Sequence, residues 1–173
     1  AIRSIGRTEE YFYMPVFESA AMIPPQTRRE ALTEVRAQLD TVSGSILNIR
    51  VGGNDLSHAF GLRRPANRTI YDLRPVADIL IDIVAAFGTQ YVVSGPVWEY
   101  YSGEGWEEGL RREMELDLLN GFTGKTVIHP NQIPVVNEML RVSRQDYADA
   151  RAILNWDTGS LSLIHISEPT RPY

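Results

Sequence analysis

A chain of 173 residues, 43% of them hydrophobic and 23% charged, is long enough for about one domain with a sizeable core. The absence of cysteine excludes disulfides and thiolate metal sites and fits a cytoplasmic protein. A formal net charge of -5 argues against a nucleic-acid partner, which needs a basic stripe, and no apolar run is long enough to span a membrane. The opening AIRSIGRTEEYFYMPVFE also lacks the basic, apolar, small-residue order of a secretory signal.

Along the chain, β-branched or aromatic runs pass through Gly, Pro or Asx clusters into helical stretches, the rhythm of βα units around a parallel sheet. Residues 11–17 (YFYMPVF) read as a first strand buried on both faces, ending at Glu18. From Pro24 and Pro25 to about Val42, the spacing of Ala31, Leu32, Val35 and Leu39 predicts an amphipathic helix. A second strand at 45–51 (SILNIRV) stops at Gly52-Gly53-Asn54-Asp55, which reads as a turn. An apolar helix at 76–87 closes at Gly88, and a third strand runs from Tyr91 toward Trp98. A helix at 106–119, closed by Gly121, leads to a fourth strand at 126–128 and then His129-Pro130. A last helix covers about 134–154, with a break near Ser143. The pattern predicts an α/β fold of about four βα units over residues 1–157, either half of a (β/α)₈ barrel or part of an open doubly wound sheet. Residues 158–173 (TGSLSLIHISEPTRPY) have no helical stripe and resemble read-through of a sequencing adapter, so they are expected to be non-native, His165 included.

Two carboxylates stand out by position. Glu18 follows the first strand and Asp55 the second, so a parallel sheet brings both to its C-terminal edge, where α/β sites collect. Two hard oxygen ligands without nearby His or Cys suit Mg²⁺, which fills its octahedron with water and substrate oxygens. The competing assignment makes Glu18 a helix cap and Asp55 an Asx turn. Gly52 and Gly53 allow close backbone approach or positive φ. His58 and His129 follow strands, and His129 is either a proton-transfer group or a loop anchor. Gly121-Phe122-Thr123-Gly124-Lys125-Thr126 has the wrong glycine spacing for a phosphate loop and runs helix to strand, which makes Lys125 a surface or strand-start residue. Arg63-Arg64 is either an anion receptor or a solvated loop, and the aromatic set Trp98, Tyr100, Tyr101 and Trp106 either walls a pocket or forms core.

Taken in order, MPVFES, VGGNDLSHAFGL, SGPVWEYY and GFTGKTVIHPNQIPVVNE resemble the C-terminal half of the citrate lyase β-subunit and HpcH/HpaI aldolase superfamily, over about residues 11–156. GLRRPANRTIYD and SGPVWEYY look most like its citrate-lyase-like C–C bond lyase branch. The resemblance implies a TIM barrel, of which this is the C-terminal half, with Mg²⁺ held by Glu18 and Asp55. It further implies substrate near Gly53 and Asn54, and His129 at the end of the last strand. It implies a 2-oxo acid or acyl thioester as small-molecule substrate, cleaved through a metal-stabilised enolate, in a homo-oligomer when full length. A basic substrate clamp is expected from the missing first half, so the fragment alone is expected to be inactive. Two other readings stay open: a non-catalytic metal-binding, ligand-binding or scaffold member of the same fold, and a phosphate-binding module using Arg63, Arg64 and Lys125.

Overall fold

The computed structural model describes residues 11–155. Four short parallel strands, β1 (Val16–Phe17), β2 (Ile49–Val51), β3 (Val93–Gly95) and β4 (Gly124–Lys125), form one sheet in sequential order. Register is set by Val16 opposite Arg50, Arg50 opposite Ser94, and Ser94 opposite Gly124. Helices α1 (Pro25–Asp40), α2 (Gly53–Ala59), α3 (Arg74–Phe87), α4 (Trp106–Leu119) and α5 (Gln132–Met139) follow the strands. Parallel strands in sequential order with helical crossovers build four of the eight units of a TIM barrel. Residues 140–155 belong to a separate unit whose helix α6 (Arg144–Leu154) is capped by Ser143, its hydroxyl accepting from the Asp146 N–H. The expected break near Ser143 is therefore present. The proposed foreign tail lies outside the described residues.

Strand alternation divides the sheet into two unlike faces. Phe17, Ile49, Val51 and Val93 join the main core with Leu32 of α1, Leu56 of α2 and Val76, Ile79, Leu80, Ile83 and Phe87 of α3. Each of these side chains contributes about 1.5–3 kcal/mol by leaving water. A smaller cluster packs Trp98 against Leu110 and Met114 of α4 and Val135 and Val136 of α5. Gly109, at the end of the first turn of α4, costs helix propensity, but any Cβ there would collide with the Trp98 ring and lie 2.8 Å from the Ala66 carbonyl oxygen.

Several expectations shift. The first strand shortens to two residues, with an isolated bridge from Tyr13 to Ile46, and Phe12, Tyr13, Met14 and Val16 are exposed instead of buried on both faces. β1 is an edge strand, and among the described residues nothing covers its second face. The fourth strand lies two residues earlier than its apolar run suggests, because Lys125 is drawn into ion pairs beneath α4 while Ile128 stays exposed. The predicted turn after Gly52 is a seven-residue helix: burial of Leu56 overrides the turn propensity of Gly-Asn-Asp, and Asp55 in its first turn suits the helix dipole.

Candidate active site at the carboxyl edge of the sheet

Glu18 leaves β1 one position beyond Phe17, which pairs with Val51, so it stands level with Gly52. Asp55 lies in the first turn of α2. A Cβ placed on Gly52 would lie 2.5 Å from Glu18 Oε2 and 3.3 Å from Asp55 Oδ2. The sum of those distances bounds the separation of the two carboxylate oxygens at about 5.8 Å. Gly52 has φ -83°, a value open to any residue, so close approach and not backbone conformation calls for glycine here. Neither carboxylate has an ion pair or hydrogen bond among the described residues, and both side chains are exposed. Two like charges held this close without a partner favour a cation between them.

The two acids line a cavity of about 320 Å³ with Val16, Arg50, Gly52, Gly53, Asn54 and Val97. Gly53 and Asn54 are thus on the same rim as Glu18 and Asp55. Gly53 is also tight on its other side, where a Cβ would meet Ile70 and Pro96. Asn54 Oδ1 accepts a long hydrogen bond of 3.5 Å from Arg64 Nη2, which leaves its amide nitrogen available as a donor. Among the described residues no group of three His, Asp or Glu side chains converges, so those residues bring two carboxylates here and no imidazole.

His129 is elsewhere. It stacks on Tyr101 with centroids 4.2 Å apart, and its Nδ1 accepts from the Asn131 N–H at 3.1 Å. It is not among the residues lining the carboxylate cavity. His58 sits exposed in the last turn of α2.

The basic residues depart furthest from expectation. Arg64, read as part of a solvated loop or an anion receptor, is buried. Its Nη1 donates to Glu113 at 2.5 Å, its Nη2 donates to the Val97 carbonyl at 2.7 Å, and its guanidinium lies 4.8 Å from the centre of the Trp98 ring. Lys125, read as a surface or strand-start residue, does stand in β4, but its side chain is fully buried and donates to Glu113 at 2.8 Å and Asp117 at 2.7 Å. Tyr71 donates to Asp117 at 2.7 Å, and the Ile70 N–H donates to Glu113 at 2.8 Å. Burial pushes the Asp117 carboxyl above its usual range against the pull of Lys125. Burial, then the neighbouring Asp117, push the Tyr71 phenol well above its ordinary value. This network of two cations and two acids was invisible to sequence reasoning apart from one signal, the i, i+4 spacing of Glu113 and Asp117 on one face of a helix. With Arg64 and Lys125 already paired, the phosphate-module reading loses two of its three side chains.

A model of C–C bond lyases of the TIM-barrel fold matches residues 1–169. The L-malyl-CoA/beta-methylmalyl-CoA lyase of Cereibacter sphaeroides is 38% identical over 74 residues, 42% of this chain and 22% of that protein. The crystal structure of CitE from Mycobacterium tuberculosis in complex with magnesium, acetoacetate and coenzyme A is 26% identical, with a TM-score of 0.48, over 64% of this chain and 40% of that one. The match thus spans about a fifth of the length of the curated relative. Among the described residues no helix is long and apolar enough to cross a membrane. With a family model that runs over nearly the whole sequence, the chain belongs to the C–C bond lyases of the TIM-barrel fold.

Proposed function

We propose that these four βα units supply the metal-holding half of a carbon–carbon bond lyase acting on a 2-oxo acid or an acyl thioester. The observation that carries this reading is the convergence of two unpartnered carboxylates, Glu18 and Asp55, over Gly52 at the carboxyl edge of the sheet. The donor set fits Mg²⁺, which takes one or two carboxylates and completes its shell with water and substrate oxygens. Glu18 and Asp55 would hold it, and when bound it supplies a Lewis acid for negative charge developing on a carbonyl oxygen.

The chain's own residues do the rest of the work on this side of the site. Asn54, steadied by Arg64, offers an amide donor to a substrate oxygen, and Gly53 keeps the backbone close to the cavity. Gly52 holds the two acids near each other by leaving room that a side chain would take. The occupied Nδ1 of His129 and its stacking on Tyr101 favour a loop-holding role over proton transfer. The named activity of the Cereibacter relative, on malyl-CoA thioesters, supports the acyl-thioester arm of the substrate class. Four strands leave sheet edges unpaired, so turnover is assigned to a complete barrel, in a homo-oligomer, and the absence of cysteine suits a cytoplasmic setting.

The test is solvent-deuterium exchange into pyruvate, other 2-oxo acids and acyl-CoA thioesters by the full-length protein with Mg²⁺. Exchange that disappears in Glu18→Gln is the expected result. Mg²⁺ binding without exchange on any substrate favours the non-catalytic alternative.

A further inference from the structure

We propose that Arg50 binds an anionic group of the substrate, a carboxylate, on the inner face of the sheet beside Glu18 and Asp55. The proposal rests on the lyase reading of that rim and adds to it a substrate class and the residue that selects it.

The flanking residues fix where Arg50 points. Ile49 and Val51 are buried in the core against the helices, so alternation turns Arg50 to the opposite face of the sheet. That face carries Asn48, Arg50, Ser94 and Thr126 beside Val16, where barrel interiors are usually filled by Val, Ile and Leu. Ser94, opposite Arg50 in the register, accepts a hydrogen bond from Asn48 Nδ2 at 3.0 Å, and Thr126 Oγ1 accepts from Arg50 Nε at 3.4 Å. This thin contact is what Arg50 has among the described residues. Arg64 and Lys125 are paired with Glu113, and Arg28 is paired with Asp82, while Arg50 makes no ion pair among the described residues. It lines the same cavity as Glu18 and Asp55, yet neither acid closes onto it.

A guanidinium stays charged and carries a planar fork of donors suited to a carboxylate. On the inner wall of a barrel such a group is costly unless something pairs with it. The cavity therefore has a cation on one wall and two anions on its rim. A small acid fits that polarity, with its carboxylate on Arg50 and its carbonyl oxygen toward the carboxylate pair.

The experiment measures binding of pyruvate and of neutral pyruvamide to the full-length protein in the presence of Mg²⁺, for wild type, Arg50→Gln and Arg50→Lys. Any preference for pyruvate that comes from the metal alone is common to all three proteins and cancels in the comparison. The expected result is a preference that falls about ten- to a hundredfold in Arg50→Gln, the size of a lost charge-assisted hydrogen bond. Arg50→Lys should recover part of it. Mg²⁺ affinity should hold or rise slightly, since a neighbouring positive charge has gone. An unchanged preference overturns the proposal, and so does equal weakening of both ligands, the mark of a structural arginine paired with another part of the barrel. A wild type that binds the two ligands alike overturns it as well. Parallel Mg²⁺ titration of Glu18→Gln keeps the two ideas apart: unaltered metal affinity there removes the metal reading, while Arg50 is still judged by its own ratio.

Discussion

Two sets of charges in one folded unit are treated in opposite ways. Beneath α4, Arg64, Glu113, Lys125, Asp117 and Tyr71 answer one another at 2.5–2.8 Å. At the rim, Glu18, Asp55 and Arg50 surround a cavity and none pairs with another charge among the described residues. Buried charges survive in a fold when they are compensated, and removing one partner strands the other. Exposed charges crowded without compensation raise the energy of the empty protein and are relieved by a ligand. The first set is therefore read as structure and the second as function.

Substitutions can pull the two sets apart. Lys125→Met leaves the buried Asp117 carboxylate without its cation and takes one of two cations from Glu113, which keeps Arg64, and should destabilise the protein by about 3–5 kcal/mol in chemical denaturation. Tyr71→Phe removes a hydrogen bond to a carboxylate and should cost about 1.5–3 kcal/mol near neutral pH. It should also change the alkaline limb of the stability profile. The Tyr71 phenol is raised from an ordinary value of 10.0, so above that pH the unfolded chain loses the proton while the folded protein keeps it. Stability then falls as pH rises, and Tyr71→Phe should flatten that fall. Gly52→Ala forces a methyl group against Glu18 and Asp55 and should cost about 1–3 kcal/mol. Smallest should be Glu18→Gln and Asp55→Asn, each within about 0.5 kcal/mol of wild type in stability. A large loss of stability in either would move the rim acids into the structural class and erase the contrast.

Much of this was legible in the residues, unevenly. The βα rhythm, the helix beginning at Trp106 and the break at Ser143 follow from local periodicity and capping, which need no tertiary context. Glu18 and Asp55 could be placed on one edge because parallel topology carries every strand end to the same side. The burial of Arg64 and of the Lys125 side chain escapes the sequence because burial of a charge depends on partners distant in it: Glu113 is 49 residues from Arg64. The strand bounds near Lys125 moved for the same reason. The sequence places Arg50 in the strand at 45–51 without giving it a role, which emerges only once Ile49 and Val51 are seen to face the helices.

Whether the rim acids form one cation site is decided by calorimetric titration of Mg²⁺ into full-length wild type, Glu18→Gln and Asp55→Asn. One site is expected in the wild type and at least about tenfold weaker binding in each variant, with melting curves that superimpose. Equal Mg²⁺ affinity in all three proteins would contradict the shared site.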